Sequence, residues 1–160
     1  MKKVFYLLVC CASLVLAACS SAPIFERAAE PLPISERGQD VAFFALSLID
    51  TGYRFGGKNP EAGLDCSGMV SYIFGKVARL KVSGSAADIA RAGRPVERAS
   101  LRPGDLVFFN TRNAAFSHVG VYIGDDRFVH APSTSGKVRI DQMADRYYAQ
   151  RFEAARSYFD

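Results

Sequence analysis

Apolar positions fall into three patterns along this chain: an unbroken run near the N-terminus, helical spacing through the middle of the chain, and two-residue alternation toward the C-terminus. Val4 to Leu16 is apolar apart from Tyr6 and Ser13, whereas Ser20 to Ser35, with Pro23, Pro31 and Pro33, has no periodicity. A proline-bearing stretch without a repeating apolar face has no stripe to bury, so it is expected to be a tether. Val41 to Ile49 is almost wholly apolar and ends on Asp50-Thr51-Gly52, which predicts a buried helix over 37–50 with a glycine stop. Tyr53-Arg54-Phe55-Gly56-Gly57 and the polar run to Gly63 read as a loop. Met69, Val70, Ile73, Phe74 and Val77 return at helical spacing and predict a second helix opening at Cys66. A short third helix is expected over 85–92. The turn Leu101-Arg102-Pro103-Gly104-Asp105 feeds a strand at Leu106-Val107-Phe108-Phe109, and further strands are predicted over 118–123, 127–131 and 137–140, with a short terminal helix within 142–156. Helices first and strands afterwards predict an α+β fold with an antiparallel sheet.

The length of 160 residues suits one domain, here expected over 36–160. With 49% hydrophobic and 22% charged residues, the composition excludes a disordered chain and a polytopic membrane protein. The N-terminal run follows Met1-Lys2-Lys3 and precedes Ala17-Ala18, the pattern of a secretory leader over residues 1–18. Its apolar part is shorter than the roughly 20 residues a spanning helix needs. Leu16-Ala17-Ala18-Cys19 resembles the bacterial lipobox, which implies a lipid-bearing (palmitate-type) Cys19 at a new N-terminus and a lipidated tether over 19–35. The alternative is a plain leader with an incidental cysteine. Buried acyl chains contribute about 0.8 kcal/mol per methylene, enough for two or three chains to hold a protein on a membrane. Ser20, where an inner-membrane retention signal would usually show Asp, implies the periplasmic face of the outer membrane. The net charge of +4 shrinks once Lys2 and Lys3 leave with the leader, and no basic cluster carries interleaved aromatics, so no nucleic-acid partner is expected.

Of four cysteines, Cys10 and Cys11 leave with the leader and Cys19 is consumed by lipid, which leaves Cys66. A single thiol in an oxidising compartment has no internal partner, so it is either buried and inert or reactive. Asp65-Cys66-Ser67-Gly68 places it at the first turn of the second helix, where unpaired N–H groups and the helix dipole are expected to stabilise a thiolate. The only histidines, His118 and His130, both fall in the strand region. If Gly124-Asp125-Asp126 is a three-residue hairpin loop, Ile123 faces Arg127 and Val121 faces Val129. Val119, Val121, Val129 and Ala131 then share one face. The other face carries His118 and His130 as diagonal neighbours about 7–8 Å apart at Cα, with Gly120 opposite His130. A two-residue loop would split the histidines between faces and mix apolar with polar positions. The odd loop predicts a nucleophile, base and orienter in Cys66, His118 and His130. A Cys/His/His zinc site is the rival chemistry, but the CxxC and HxxxH spacings of strong zinc motifs are absent, and no metal or organic cofactor is required.

Asp65-Cys66-Ser67-Gly68, Leu101 to Phe109, Ser117-His118-Val119-Gly120-Val121-Tyr122-Ile123-Gly124 and Phe128-Val129-His130-Ala131 occur in the order found in the NlpC/P60 family of cell-wall peptidases. The chain resembles that family over roughly residues 37–158, and within it the Spr-type murein endopeptidase lipoproteins. The resemblance implies a papain-like core with a helix-borne cysteine on an antiparallel sheet, and cysteine endopeptidase activity on peptidoglycan stem peptides or cross-links. It implies Cys66 as nucleophile, His118 as base, His130 as third polar residue, Tyr53 near the oxyanion, and Asp65 and Ser67 beside the substrate. Tyr53 reads equally as a loop anchor. Many members carry Leu-Pro-Arg-Ser/Thr and then Gln, where this chain has Leu80-Lys81-Val82-Ser83-Gly84-Ser85 and Ile89, so an altered groove contact and substrate preference are expected. Acyl transfer from the same thioester, or a non-catalytic lipoprotein that binds peptidoglycan or a protein partner, are the other readings.

Overall fold

The computed structural model describes residues 36–159; the leader, Cys19 and the tether lie outside the described residues. Val41, Ala45 and Leu48 recur on one helical face and are buried, and helix α1 (Glu36–Ser47) uses that stripe to cover the sheet. The helix stops short of the expected residue 50. Asp50 itself turns the chain with φ +69°, and its N–H donates to Val138 O at 3.0 Å. A small hairpin, β1 (Lys58–Asn59) and β2 (Gly63–Leu64), leads into α2 (Cys66–Ile73), which buries Met69, Val70 and Ile73 and continues as one π-helical stretch over Phe74–Ala78. Arg79, at φ +54°, closes it. Helix α3 (Ala86–Ala92) opens on a Ser85/Asp88 capping box, which satisfies donors at its N-terminus.

The strands are β3 (Arg94–Val96), β4 (Leu106–Phe109), β5 (His118–Gly124), β6 (Arg127–His130), β7 (Arg139–Gln142) and β8 (Phe152–Ser157). They form one sheet in the order β3-β8-β4-β5-β6-β7, with every pair antiparallel. The α+β class is as expected. A short helix, α4 (Arg146–Ala149), forms within 142–156 as expected, but residues 152–157, the rest of that stretch, are a strand inside the sheet. Glu153-Ala154-Ala155-Arg156 is a favourable helical composition, but β8 fills the gap between β3 and β4 and buries Ala155 and Ser157, and that pairing overrides local propensity. β7 begins two residues later than expected because Lys137 and Val138 pair instead with Thr51 and Gly52 after α1.

Two cores flank the sheet. Leu106, Phe108, Val119, Val121 and Val129 face α1, α2 and α3, whereas Val107, Phe109, Phe128 and Ala155 pack with Met143 and Tyr148 on the opposite face. This alternation is what fixes the register of β4, β5 and β6.

Candidate active site

Cys66 is the first residue of α2, and Asp65 caps that helix. Asp65 Oδ1 accepts from Gly68 N–H at 2.7 Å and from the Ser67 hydroxyl at 3.1 Å, and Oδ2 accepts from Gly56 N–H at 2.8 Å. Both carboxylate oxygens are thus engaged in holding the loop on the helix start, so the residue expected beside the substrate has a structural task there. The loop lies so close that a Cβ on Gly68 would sit 1.9 Å from Gly57 O. Backbone N–H groups of Val119 and Ser67 hydrogen-bond the Cys66 sulfur. Even so, burial pushes the thiol up from its ordinary value, aided by the nearby Asp65 carboxylate; these outweigh the two N–H groups and the Arg112 cation. The expected resting thiolate is therefore corrected to a neutral thiol: desolvation of the charge exceeds the stabilisation at the helix N-terminus.

The histidines meet as the apolar pattern requires, but the hairpin achieves it differently. Asp125 and Asp126 form a two-residue turn, both with positive φ, and an irregularity between Tyr122 and Gly124 sets Arg127 opposite Gly124, where Ile123 was expected. The added residue restores the odd offset, so Val121 still pairs with Val129. His118 Nε2 lies 2.7 Å from His130 Nδ1. Gly120 makes room for them, since a Cβ there would lie 2.6 Å from the Phe128 ring and 3.2 Å from His130 Cβ. His130 is fully buried, with its ring 4.7 Å from Phe128 and 5.4 Å from Tyr148 by centroid. Burial, the neighbouring His130 and the Arg112 cation lower His118 to about 3, with Asp141 opposing them. Burial also lowers His130, against the hydrogen bond it makes to Asp141 and the charge of that carboxylate. Both rings are therefore neutral at pH 7.

One carboxylate escaped the sequence reading. His130 Nε2 lies 2.8 Å from Asp141 Oδ2, which also accepts from Arg139 Nε and Nη2 at 2.9 and 2.7 Å. Burial opposes charge on Asp141, but the hydrogen bonds from His130, Arg139 and Tyr148 prevail and hold it down at about 2. The β6–β7 register puts Arg139 opposite His130 and Asp141 opposite Phe128. Residues of like parity share a face, so the Arg139-x-Asp141 alternation could have marked the pair had that register been known.

Cys66, His118, Tyr53, Asp65 and Ser67 line one cavity of about 700 Å³, bounded also by the β4–β5 loop at Arg112, by Arg139 and Asp141 of β7 and by α4 at Tyr147. Burial raises the Tyr53 hydroxyl, with Asp65 and Cys66 adding to the effect, so it remains a hydrogen-bond donor. Ser85, Ala86 and Ala87 reach the same cavity. Ile89, expected as a changed groove contact, is instead 1% exposed and packs in the core, because its side of α3 faces the sheet.

A model of the NlpC/P60 family matches residues 50–157. Murein DD-endopeptidase MepH of Escherichia coli K12 is 36% identical over 114 residues, which are 69% of this chain and 42% of that protein. The chain thus spans less than half of MepH. A probable endopeptidase of Haemophilus influenzae is 33% identical over 162 residues, covering 95% of this chain and 96% of that one. Among solved structures, the NlpC/p60 domain of the peptidoglycan hydrolase SagA is similar with a TM-score of 0.65 at 27% identity, over 75% of this chain and 97% of that one. With a family match over more than half of its length and this helix-borne cysteine beside an antiparallel sheet, the chain belongs to the NlpC/P60 family.

Proposed function

We propose that this protein is a cysteine endopeptidase that hydrolyses amide bonds in peptidoglycan stem peptides or their cross-links. The observation that carries the reading is the cavity shared by Cys66 and His118, with His130 behind His118 at 2.7 Å. The names of the relatives, murein DD-endopeptidase and peptidoglycan hydrolase, support the substrate class. His118 accepts the Cys66 proton as sulfur attacks the amide carbonyl carbon. The resulting imidazolium gives that proton to the leaving amine when the C–N bond breaks, and a thioester remains on Cys66. Water, deprotonated by His118, then attacks the thioester and releases the carboxylic acid and the thiol. Backbone N–H groups at the start of α2 and the Tyr53 hydroxyl supply donors for the tetrahedral oxyanion. His130 holds the His118 ring, and Ser67 lines the cavity beside the nucleophile. The substrate sits in the cell envelope, and lipid on Cys19 would hold the domain at the periplasmic face of the outer membrane.

The test is to incubate the full chain and its Cys66→Ala variant with purified cross-linked and uncross-linked muropeptides and to identify products by mass spectrometry. Cleavage by the wild type with none by the variant is expected. Equal cleavage by both would remove Cys66 from the reaction.

A further inference from the structure

His118, His130 and Asp141 step diagonally across three neighbouring strands, β5, β6 and β7, and both ring nitrogens of His130 are engaged. An ionised carboxylate only accepts hydrogen bonds. Asp141 is ionised, because Arg139 donates to it twice and Tyr148 bonds it as well. The hydrogen of His130 therefore sits on Nε2, facing Asp141, and Nδ1 carries a lone pair. The hydrogen shared between the two rings must then come from His118 Nε2. This leaves His118 Nδ1 as the one ring nitrogen of the pair able to accept a proton.

We propose that Asp141, clamped by Arg139 and Tyr148, is a positioning residue that fixes the tautomers of both histidines and so reserves His118 Nδ1 for the thiol proton. The inference rests on the peptidase reading for its turnover readout alone. Asp141 also lines the cavity, but its bond to the catalytic pair runs to His130, and it is through His130 that it acts on the thiol proton.

The experiment is ¹⁵N spectroscopy of the histidine rings in the full chain, combined with muropeptide turnover, for wild type, Asp141→Ala and Asp141→Asn. In the wild type both histidines are expected as Nε2–H tautomers. In Asp141→Ala the bias disappears, and kcat falls about tenfold or more with KM nearly unchanged. In the isosteric Asp141→Asn, Arg139 holds the amide oxygen where Oδ2 was, so His130 keeps its acceptor, the tautomers persist, and kcat falls less than in the alanine variant. An Nδ1–H tautomer on either histidine of the wild type overturns the proposal, as do wild-type tautomers and kcat in Asp141→Ala. A wild type that shows both Nε2–H tautomers but cleaves no muropeptide overturns the peptidase reading and leaves the tautomer assignment standing. A wild type that cleaves but shows an Nδ1–H ring does the reverse.

Discussion

Cys66 sits where two effects on one thiol oppose each other. The helix start and the N–H groups of Val119 and Ser67 favour the thiolate, whereas burial and the Asp65 carboxylate favour the thiol, and the second pair wins. With His118 lowered to about 3, the free enzyme holds a neutral thiol beside a neutral imidazole, and the proton moves only as the substrate carbonyl is attacked. Cys66 is therefore expected to react with iodoacetamide at pH 7 more slowly than an unstructured cysteine, at a rate that keeps rising through the alkaline range. A rate already at its plateau below pH 7 would mean a resting thiolate–imidazolium pair and refute this account. At this scale Cys66, His118 and His130 were legible, because a lone thiol at a helix start and two histidines in one hairpin are local patterns. Asp141 was not, because its partner His130 lies eleven residues away across a loop whose length does not fix the register.

The hairpin of β5 and β6 shows how an element can satisfy a pattern by an unexpected route. The apolar alternation demanded that Val121 face Val129, and a two-residue turn with a bulge met that demand where a three-residue loop was expected. β8 is the opposite case: its Glu-Ala-Ala-Arg stretch favours a helix locally, and only the unpaired edges of β3 and β4 make it a strand. A chain ending at Arg151 is accordingly expected to lose cooperative urea unfolding and near-ultraviolet circular dichroism, since β3 would lose its link to the sheet, β4 one of its two neighbours and Val107 its Ala155 partner. A terminal helix in that position would have been dispensable to the sheet, so retention of a cooperative transition would contradict the central placement of β8.

Over the whole molecule, the buried histidines make stability depend on acid. His118, packed among His130 of β6, Asp141 and Arg139 of β7, Arg112 of the β4–β5 loop and Cys66 of α2, has a folded value of about 3 against an ordinary 6.5. The unfolded chain binds that proton more tightly, so the contribution is complete above about pH 6.5 and is lost as pH falls toward 3, a loss on the order of a few kcal/mol. Lowered His130 acts in the same sense, and Asp141, held at about 2 from an ordinary 3.8, adds a further loss between those values. Buried Asp105, whose carboxyl is raised, works the other way in acid. Urea midpoints at pH 7, 5 and 4 are expected to fall in that order, with a shallower fall in His118→Gln; a wild-type midpoint independent of pH over this range would show that the rings are solvated. What the sequence by itself determined is whatever depends on neighbours along the chain: the helix stripe of Val41, Ala45 and Leu48, the thiol at the start of α2, and the parity that puts both histidines on one face. The tertiary structure decided what depends on groups distant in sequence. It placed β8 between β3 and β4, brought Asp141 to His130, turned Ile89 inward, and kept Cys66 protonated, because register and desolvation are set by the packed neighbours of a residue and those exist only once the sheet is assembled.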